Sequence, residues 1–432
     1  MSTQPVKRTS QASLADGEAR LILRAMLDAA IGAADPARVI PAHLPEPPAG
    51  RCIVVGAGKA SAAMAAAVEA AWPNVELSGV VAVPPGYGGG CSRITVRETA
   101  HPVPDTSSVD AAQEMMAAVH GLTSDDLVLA LISGGGSAAI CLPAGDLTLE
   151  DKQATNRMLL KSGLDIRTMN AIRRRLSGIK GGRLAQAAVP AKVVTLAISD
   201  IPGDDIAAIA SGPTVMGDDD GADASAFLER YGSALPERVV RHLAHPYASA
   251  SEPATHDVSS KLVATPADAL QAAASVAVRH GIVPQILGDA VEGESSEVAQ
   301  AMASRLTADC PTVFLSGGET TVTIGTGQAG RGGRNTEFAL ALACALQGRG
   351  DTWALAADTD GEDGQNLGAA GALIAPNTLE RARSLELNPR DHLADHDSGS
   401  FFQALGDLVN TGPTRTNVND FRAILIWPNR AG

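Results

Sequence analysis

Aromatic side chains are scarce in this chain of 432 residues, in which Phe, Trp and Tyr together make up 3%. Proteins that bind single-stranded nucleic acid usually stack bases on such rings, so this scarcity argues against that class. The formal net charge of −14 also argues against a nucleic-acid backbone as a partner. A small anionic ligand stays compatible with this charge, because a local cluster of Lys and Arg can outweigh the mean field.

Clustered cysteines and long apolar runs are absent as well. The five cysteines are scattered, with no CxxC pair and no His/Cys cluster, so a structural zinc site is not expected. An odd number of cysteines suits a reducing compartment. The N-terminus lacks the apolar core of a signal peptide, and no uncharged apolar run is long enough to span a membrane. We therefore expect a cytoplasmic protein with no membrane partner.

Near-continuous apolar runs alternate with helical patterns in the first part of the chain, as in "RCIVVGAGKASAAM" and "DLVLALISGGGSA". Such strands are typical of a parallel sheet covered by helices on both faces. The sequence therefore predicts a doubly wound, Rossmann-like α/β domain over residues 1–250 and a second α/β domain over residues 251–432. A charge-rich helical section is predicted from about residue 148 to 188. The Ser-, Ala- and Pro-rich stretch 244–260 is the predicted linker.

Two further elements are predicted in the second domain. "KLVAT" should form a strand of a strand–helix–strand unit, and "TVFLSGGETTVTIG" should form a hairpin.

The turn in "VVGAGKASAAM" matches a dinucleotide-binding turn only in part. Gly56 and Gly58 fit that fingerprint, but Ala62 and Ala63 stand near the position of its third glycine, and no acidic residue closes the next strand. Lys59 lies at a helix start, where free N–H groups and the helix dipole favour an anion. The residues alone leave two interpretations open: a solvated lysine, or a ligand for a carboxylate or phosphate.

Two apolar strands run into Ser-Gly-Gly without the Gly-Lys-Ser/Thr that would complete a P-loop. Such a turn can aim several N–H groups at one anion, or it can be a tight connection that needs positive φ. The GxSxG pattern of a serine hydrolase is absent from the first turn. The two turns comprise Ser133, Gly134, Gly135, Gly136 and Ser137, and Ser316, Gly317, Gly318 and Glu319.

Cations accompany glycines in two further segments. "RRRLSGIKGGRLA" places Lys180 beside a Gly pair; such charge runs are usually solvated, but the glycines would allow close approach to a ligand. "GRGGRNTEFAL" places Arg334 near a helix start that Asn335 or Thr336 is expected to cap, so that its guanidinium and the free N–H groups could face one anion.

Carboxylates follow two of the predicted strands. "ISDIPGDD" supplies Asp200, Asp204 and Asp205, and "AADTDGEDG" supplies Asp358. They could hold Mg²⁺ or accept a hydroxyl proton, or one of the first group could cap a helix. Cationic glycine turns together with carboxylates at strand ends are what phosphoryl transfer requires.

Ten blocks, in this order, resemble those of the glycerate 2-kinase family, in its two-domain type with a C-terminal MOFRL module. The resemblance covers about residues 15–428, with the MOFRL module at about 310–428, and many members were formerly labelled hydroxypyruvate reductase. The blocks are "VVGAGKA", "HPVPD", "LISGGGSA", "LSGIKGGRLA", "SDIPGDD", "ASGPT", "LSGGETTVT", "GRGGRNTEFAL", "AADTDGEDG" and "TGPTRTNVND".

This resemblance implies phosphorylation of D-glycerate at its 2-hydroxyl by ATP and Mg²⁺, giving 2-phosphoglycerate, in a cleft between two domains. It implies catalytic roles for Lys59 and Arg334 and matches the aspartate of the family's SD-x-P block to Asp200. It also implies a cytoplasmic enzyme of glyoxylate, serine or tartrate-type carbon metabolism.

We expect the glycerate carboxylate on the amides of the first Ser-Gly-Gly turn and the ATP phosphates at Lys59, Lys180 and Arg334. Asp200, with Asp204 or Asp358, is expected to hold Mg²⁺ or to orient the 2-hydroxyl. The sequence does not decide which of the two Ser-Gly-Gly turns holds glycerate and which holds ATP. It also leaves open whether the chain forms a homo-oligomer.

Two alternatives are retained. One is an NAD(P)H-dependent hydroxypyruvate reductase, against which the imperfect glycine fingerprint counts. The other is a non-catalytic anion-binding module.

Overall fold

The computed structural model divides into two compact units, each discontinuous in sequence. The parallel-sheet unit comprises residues 33–265 and 415–418, and the mixed-sheet unit comprises the rest. The first helix, α1 (Asp16–Ala33), belongs almost wholly to the mixed-sheet unit. The structure describes residues 14–217, 224–245, 257–325, 329–364 and 368–428.

The parallel-sheet unit alternates strands with helices, as predicted. Its strands are β1 (Cys52–Ala57), β2 (Leu77–Val83), β3 (Thr95–Glu98), β4 (Leu127–Ile132), β5 (Lys192–Ile198) and β6 (Val258–Ala264). Its helices are α2 (Pro36–Val39), α3 (Ser61–Ala71), α4 (Thr106–Ala118), α5 (Gly136–Ala139), α6 (Leu149–Lys161), α7 (Ile166–Arg175), α8 (Arg183–Ala187), α9 (Ser225–Tyr231) and α10 (Glu237–Ala244). The predicted charge-rich helical section is confirmed as α6, α7 and α8.

The six strands of this unit are all parallel and lie in the order β3-β2-β1-β4-β5-β6. This is the strand order of the doubly wound dinucleotide-binding folds, which confirms the predicted fold class. The order reverses between β1 and β4, whose last residues, Ala57 and Ile132, are paired. Ligands of such sheets bind outside the carboxyl ends of the strands at this point of reversal.

Aliphatic side chains form the core of this sheet. β1 and β4 are buried at every position, and the core cluster around them contains Ala, Val, Leu, Ile and Met but no aromatic residue. The low aromatic content therefore reflects a sheet covered by small and branched side chains. A second, smaller apolar cluster, which includes Leu159, Ile172, Phe227 and Val239, joins α6, α7, α9 and α10 into a helical layer.

The mixed-sheet unit is built around a six-stranded sheet in the order β13-β12-β11-β14-β9-β7, in which only β7 and β9 are parallel neighbours. Its strands are β7 (Val283–Gly288), β8 (Gly293–Glu294), β9 (Thr312–Ser316), β10 (Thr320–Thr321), β11 (Thr352–Asp358), β12 (Gly371–Ile374), β13 (Leu408–Val409) and β14 (Asp420–Ile426). Its later helices are α11 (Pro266–Arg279), α12 (Ser295–Ala303), α13 (Arg334–Leu346), α14 (Thr378–Ser384), α15 (Pro389–Ala394) and α16 (Ser398–Leu405).

Two predicted strand assignments are wrong. The strand containing "KLVAT" is β6, which pairs with β5 in the parallel sheet; its first four residues are exposed at the sheet edge, so its apolar pattern was weak. The predicted hairpin over 312–325 does not form, because β9 is buried between β14 and β7 while β10 pairs with β8.

The bounds of the two units differ from the predicted domains 1–250 and 251–432, because α1 and residues 415–418 each belong to the other unit. Polar contacts hold α1 in the mixed-sheet unit: Arg20 Nη1 donates to Asp407 Oδ1 (2.9 Å), and Trp353 Nε1 donates to Asp16 Oδ1 (2.9 Å). Most of the predicted linker, residues 246–256, lies outside the described residues. No helix in the described segments has both the length and the apolar character needed to cross a membrane.

Candidate active site

Two glycine turns meet at the carboxyl ends of β1 and β4. Lys59 N donates to Gly134 O (2.9 Å), and Ala60 N donates to Ser133 Oγ (3.0 Å). Gly58 has a φ of +126°, and a Cβ added there would lie 2.3 Å from Ser133 O. Glycine is therefore required at 58 by both its backbone conformation and the close approach of the second turn. The structure thus brings together the two turns that the sequence singled out separately.

The first Ser-Gly-Gly turn presents N–H groups that are not used within the described structure. The N–H groups of Gly134, Gly135 and Ser137 donate to no described residue, whereas Ser133 N donates to Ala57 O (3.0 Å). Gly135 adopts a φ of +79°, so the tight-turn interpretation is also correct. The same turn therefore fits both interpretations: it contains a residue with positive φ, and it presents several unused N–H groups.

Asp200 follows β5 and lies against this turn. A Cβ added to Gly134 would lie 1.6 Å from Asp200 Oδ2, so the carboxylate occupies the space that a side chain would fill. Asn417 Nδ2 donates to the same oxygen (3.0 Å) from the segment 415–418. Asn417 lies in one of the ten blocks but was not predicted as a site residue, because a loop asparagine 217 positions away gives no local signal.

Lys59 and His101 flank Gly135. From the position of an added Cβ at Gly135, His101 Nε2 would be 3.3 Å away and Lys59 Cγ 3.6 Å away. His101 lies in the loop after β3, within the block "HPVPD", and was not among the predicted site residues. Its position before a proline at a strand's carboxyl end was the available signal.

Lys180 reaches the other end of the same turn. Its Nζ donates to Ser137 O (2.7 Å), while Ser137 Oγ and Ser211 Oγ are 2.8 Å apart. Burial, followed by the positive charges of Lys152 and Arg173, lowers the pKa of Lys180 to about 7.

A cavity of about 450 Å³, here called the basic cavity, adjoins this turn. Residues of α6 and α7 form one side of it, and the first Ser-Gly-Gly turn and residues 101–104 form another. Asp and Glu are absent from its described walls. Its basic lining residues are His101, Lys152, Arg157, Arg173 and Lys180.

The carboxylates proposed for Mg²⁺ do not form a preassembled site. No group of three or more His, Cys, Asp or Glu side chains in the described segments could hold a metal ion. Asp205 Oδ1 accepts from Ala207 N (3.0 Å) in a local turn, so the expected helix cap is not formed by Asp205, and the 3-10 helix that follows begins after Ala208 without a side-chain cap. Asp204 Oδ1 is buried and has no hydrogen-bond partner among the described residues. Mg²⁺ in kinases is commonly held by one or two carboxylates plus substrate phosphates, so Asp200 and this orphaned oxygen fit such an ion.

Arg334 is the centre of a second cluster, in the mixed-sheet unit. Its Nε donates to Asp420 Oδ1 (2.8 Å), its Nη2 to Asp358 Oδ2 (2.7 Å), and its Nη1 to Glu319 Oε1. Burial alone would lower the pKa of Arg334, but the three carboxylates raise it well above its ordinary value. A guanidinium has five N–H donors, so two of them have no acceptor among the described residues.

Arg422 contacts this cluster through Asp420, the carboxylate that also binds Arg334. The side chain is fully buried, donates through Nη2 to Asp420 Oδ2, and stacks over the ring of Phe338 with its central carbon 5.1 Å from the ring centre. Arg422 Nη1 also donates to Gly317 O (3.1 Å) in the second Ser-Gly-Gly turn. Both Ser-Gly-Gly turns therefore supply a backbone acceptor to a buried cation, since Ser137 O of the first turn accepts from Lys180 Nζ.

The N-terminus of α13 differs from the prediction. Asp363 accepts from both Asn335 N and Thr336 N (2.8 Å each), so a carboxylate of the chain itself occupies the place expected for a ligand anion. Burial raises the pKa of Asp363 to about 6. Of the two expected capping residues, Asn335 does not cap the helix, because its Nδ2 donates to Asp420 Oδ1 (2.7 Å). Thr336 does, since its Oγ1 accepts from the backbone N–H of the N-cap residue Gly333 (2.9 Å).

The remaining predicted residues lie in the glycine turns or in the strands that lead into them. Gly56 lies within β1, where an added Cβ would meet Leu131 O at 2.5 Å; an added Cβ at Gly136 would meet Ala57 O at 2.7 Å. Ser316 ends β9, and Gly318 O accepts from Asp420 N (3.1 Å).

Two domain families match the chain. A family described as a domain of unknown function (DUF4147) matches residues 22–244, most of which belong to the parallel-sheet unit. The MOFRL family matches residues 312–420, most of which belong to the mixed-sheet unit.

Similarity to known proteins extends over nearly the whole chain. A protein of Agrobacterium vitis, named only provisionally as a hydroxypyruvate reductase, is 54% identical over 421 residues and covers 95% of both chains. The glycerate 2-kinase of Pyrococcus horikoshii is 36% identical over 395 residues, or 88% of both chains. The crystal structure of a glycerate kinase from Thermotoga maritima matches with a TM-score of 0.85 at 33% identity, covering 95% of this chain and 100% of that one.

Proposed function

The chain belongs to the glycerate kinase family, and we propose that it transfers the γ-phosphoryl group of ATP to the 2-hydroxyl of D-glycerate, giving 2-phosphoglycerate and ADP. The observation that carries this proposal is the meeting of Lys59, Asp200 and the unused N–H groups of Gly134 and Gly135 at the point where the strand order reverses. A cation, a carboxylate and an amide cradle in one place supply what phosphoryl transfer needs.

In this proposal the first Ser-Gly-Gly turn binds oxygen atoms of a substrate. The N–H groups of Gly134, Gly135 and Ser137 donate to a carboxylate or phosphate, and Lys59, which lies beside Gly135, adds positive charge. Such groups accelerate the reaction only where they bind the transition state more tightly than the reactants.

Asp200 is proposed to orient the reacting hydroxyl and accept its proton. Asn417 donates to Oδ2 of this carboxylate and therefore fixes its direction. When Mg²⁺ is bound, Asp204, whose Oδ1 has no partner among the described residues, would hold it together with substrate phosphates, and the ion would neutralise the charge of the phosphates. The proposal requires the hydroxyl of glycerate to lie within hydrogen-bond reach of Asp200 for proton transfer.

Arg334 is proposed to stabilise negative charge on the transferred group. The three carboxylates that hold it fix the direction of its guanidinium, and two N–H groups remain for a ligand. Because these carboxylates outnumber the positive charge of Arg334, we propose that the arginine acts on a ligand whose charge a metal ion has partly neutralised.

Reduction of hydroxypyruvate is the second candidate, because a relative 54% identical bears that name and the strand order is that of dinucleotide-binding folds. The strand that follows the first glycine turn argues against it. β2 ends at Val83 and is followed by prolines rather than by an acidic residue that could bind a ribose hydroxyl.

Two assays on one preparation separate these functions. The proposal predicts ADP release that requires D-glycerate, and no change in NADH absorbance when hydroxypyruvate is added. NADH oxidation that depends on hydroxypyruvate, with no ADP release on adding D-glycerate, would overturn the kinase assignment. Binding of either acid with neither reaction would favour the anion-binding module instead.

A further inference from the structure

The basic cavity concentrates positive charge in a chain whose formal net charge is −14. Lys152, Arg157, Arg173 and Lys180 line it, and none of the four forms an ion pair with a carboxylate in the described structure. Arg157 makes neither a hydrogen bond nor an ion pair with any described residue. These four cations therefore face the cavity without a compensating negative charge.

Two neutral polar side chains of the cavity, Asn156 and Asn170, also present donors. Arg173 Nε donates to Asn156 Oδ1 (2.8 Å), and Arg173 Nη1 donates to Asn170 Oδ1 (3.1 Å). With both amide oxygens occupied by the same arginine, the amide nitrogens are the groups left for a ligand. Such a surface of donors suits an anion with several oxygen atoms.

Burial of these cations disfavours their charged forms. Burial lowers the pKa of Lys152, and Arg183 lowers it further. Burial likewise lowers the pKa of Arg173 and that of Lys180. Their acceptors within the chain are neutral: Lys152 Nζ donates to Leu142 O (3.3 Å) and Lys180 Nζ to Ser137 O (2.7 Å). Burying a cation without a carboxylate partner is costly, and such groups in a cavity mark a candidate site for a ligand of opposite charge.

We propose that the basic cavity binds the phosphate groups of a phosphorylated reactant, with Lys152, Arg157, Arg173 and Lys180 as their ligands. This inference rests on the proposed function for the identity of the reactant. A single carboxylate, as in glycerate, would leave most of the four cations unpaired, whereas a triphosphate or a phosphorylated acid would balance them. The cavity volume of about 450 Å³ lies in the range of pockets that enclose drug-sized ligands, which exceeds the need of a three-carbon acid.

Equilibrium binding without turnover tests this assignment. The affinities of a non-hydrolysable ATP analogue with Mg²⁺, of 2-phosphoglycerate, of inorganic phosphate and of D-glycerate are measured by calorimetry for the wild type, Lys152→Met and Arg157→Gln. Lys161→Gln is the matched control, because Lys161 lies on α6 four residues from Arg157, is also exposed, and does not line the cavity.

Lys152→Met should weaken binding of a phosphate-bearing ligand about tenfold or more, because it removes a buried charged donor. Arg157→Gln should weaken it about two- to fivefold, because its charge is exposed to solvent. An effect confined to the ATP analogue identifies the nucleotide as the source of the phosphate, and one confined to 2-phosphoglycerate identifies the phosphorylated acid. No loss beyond that of Lys161→Gln for any phosphate-bearing ligand, or a loss as large for D-glycerate, would overturn the proposal.

Thermal unfolding of the empty protein separates binding from a structural role. Lys152→Met should leave the melting temperature unchanged or raise it, because it removes a buried and repelled cation. A lowered melting temperature with unchanged phosphate affinity would show that Lys152 serves the fold. Arg157→Gln keeps the test decisive if Lys152→Met does not fold, since Arg157 is exposed.

The two proposals fail separately. If the wild type produces 2-phosphoglycerate but the cavity variants bind every phosphate-bearing ligand normally, only the cavity assignment is wrong. If the wild type does not phosphorylate glycerate but the variants lose phosphate binding, only the proposed reaction is wrong.

Discussion

The Asp200 carboxylate lies where a side chain of Gly134 would be: an added Cβ would come within 1.6 Å of Oδ2 and 2.3 Å of Cγ. Gly134 does not have a positive φ, so its backbone would accept alanine without strain. The three atoms nearest to such a Cβ all belong to Asp200, so the need for glycine here arises from this carboxylate. Glycine at position 134 in the turn after β4 therefore leaves the space that the Asp200 carboxylate after β5 occupies.

Gly134→Ala should displace Asp200 from Asn417 and lower kcat by about 10²-fold or more, because misplacing a reacting group by about 1 Å costs that much. The melting temperature should change little. Gly232→Ala is the control, since nothing lies within 4 Å of an added Cβ there and φ is −56°. Steady-state kinetics near the wild-type rate for Gly134→Ala would show that Asp200 has no role in turnover.

Lys59→Met should lower kcat by about 10²- to 10³-fold, as expected when one partner of the transition-state charge is removed. Lys161→Met supplies the comparison for loss of a lysine outside the site. The measurement is ADP release at saturating D-glycerate. Equal rates for the two variants would favour the alternative interpretation, in which Lys59 is a solvated lysine at a helix start and not a ligand of the substrate.

Arg422→Met should lower the free energy of unfolding by about 3–5 kcal/mol, because it leaves the fully buried Asp420 carboxylate with one cation fewer. Denaturant unfolding measures the change. Arg349→Met is the control, since its ion pair with Asp351 is partly exposed and should contribute about 1 kcal/mol or less. Similar losses for the two variants would mean that the buried pair is not a main support of the Arg334 cluster.

Lys180 should make stability rise with pH. Its pKa is about 7 in the folded protein and 10.5 ordinarily, so between these values the unfolded chain binds more protons than the folded one. The free energy of unfolding should therefore increase over this interval, and the destabilisation should be fully present below pH about 7. Unfolding of Lys180→Met across the same interval should lack this increase; parallel curves for the two proteins would contradict the lowered pKa.

The sequence predicted the parts of the structure whose signals are local. Apolar runs such as that of β4, buried at all six positions, predicted the parallel sheet, and glycines next to them predicted the turns. β6 was assigned to the wrong sheet, because an edge strand with four exposed residues carries little apolar pattern.

Long-range pairing explains what the sequence did not show in the candidate site. Asn417 reaches Asp200 across 217 positions, and Asp363 reaches the start of α13 across 28, so neither partnership has a local pattern. Arg334 was placed correctly at a helix start, but its three carboxylate partners come from separate strands and turns. A single sequence shows which groups are present, and the fold decides which of them meet.

Phosphorus NMR of the product formed from D-glycerate, ATP and Mg²⁺ tests the central claim most directly. We predict the resonance of 2-phosphoglycerate, appearing together with ADP and only when D-glycerate is present. The resonance of 3-phosphoglycerate, or no phosphorylated acid under conditions in which the protein is folded, would contradict the account.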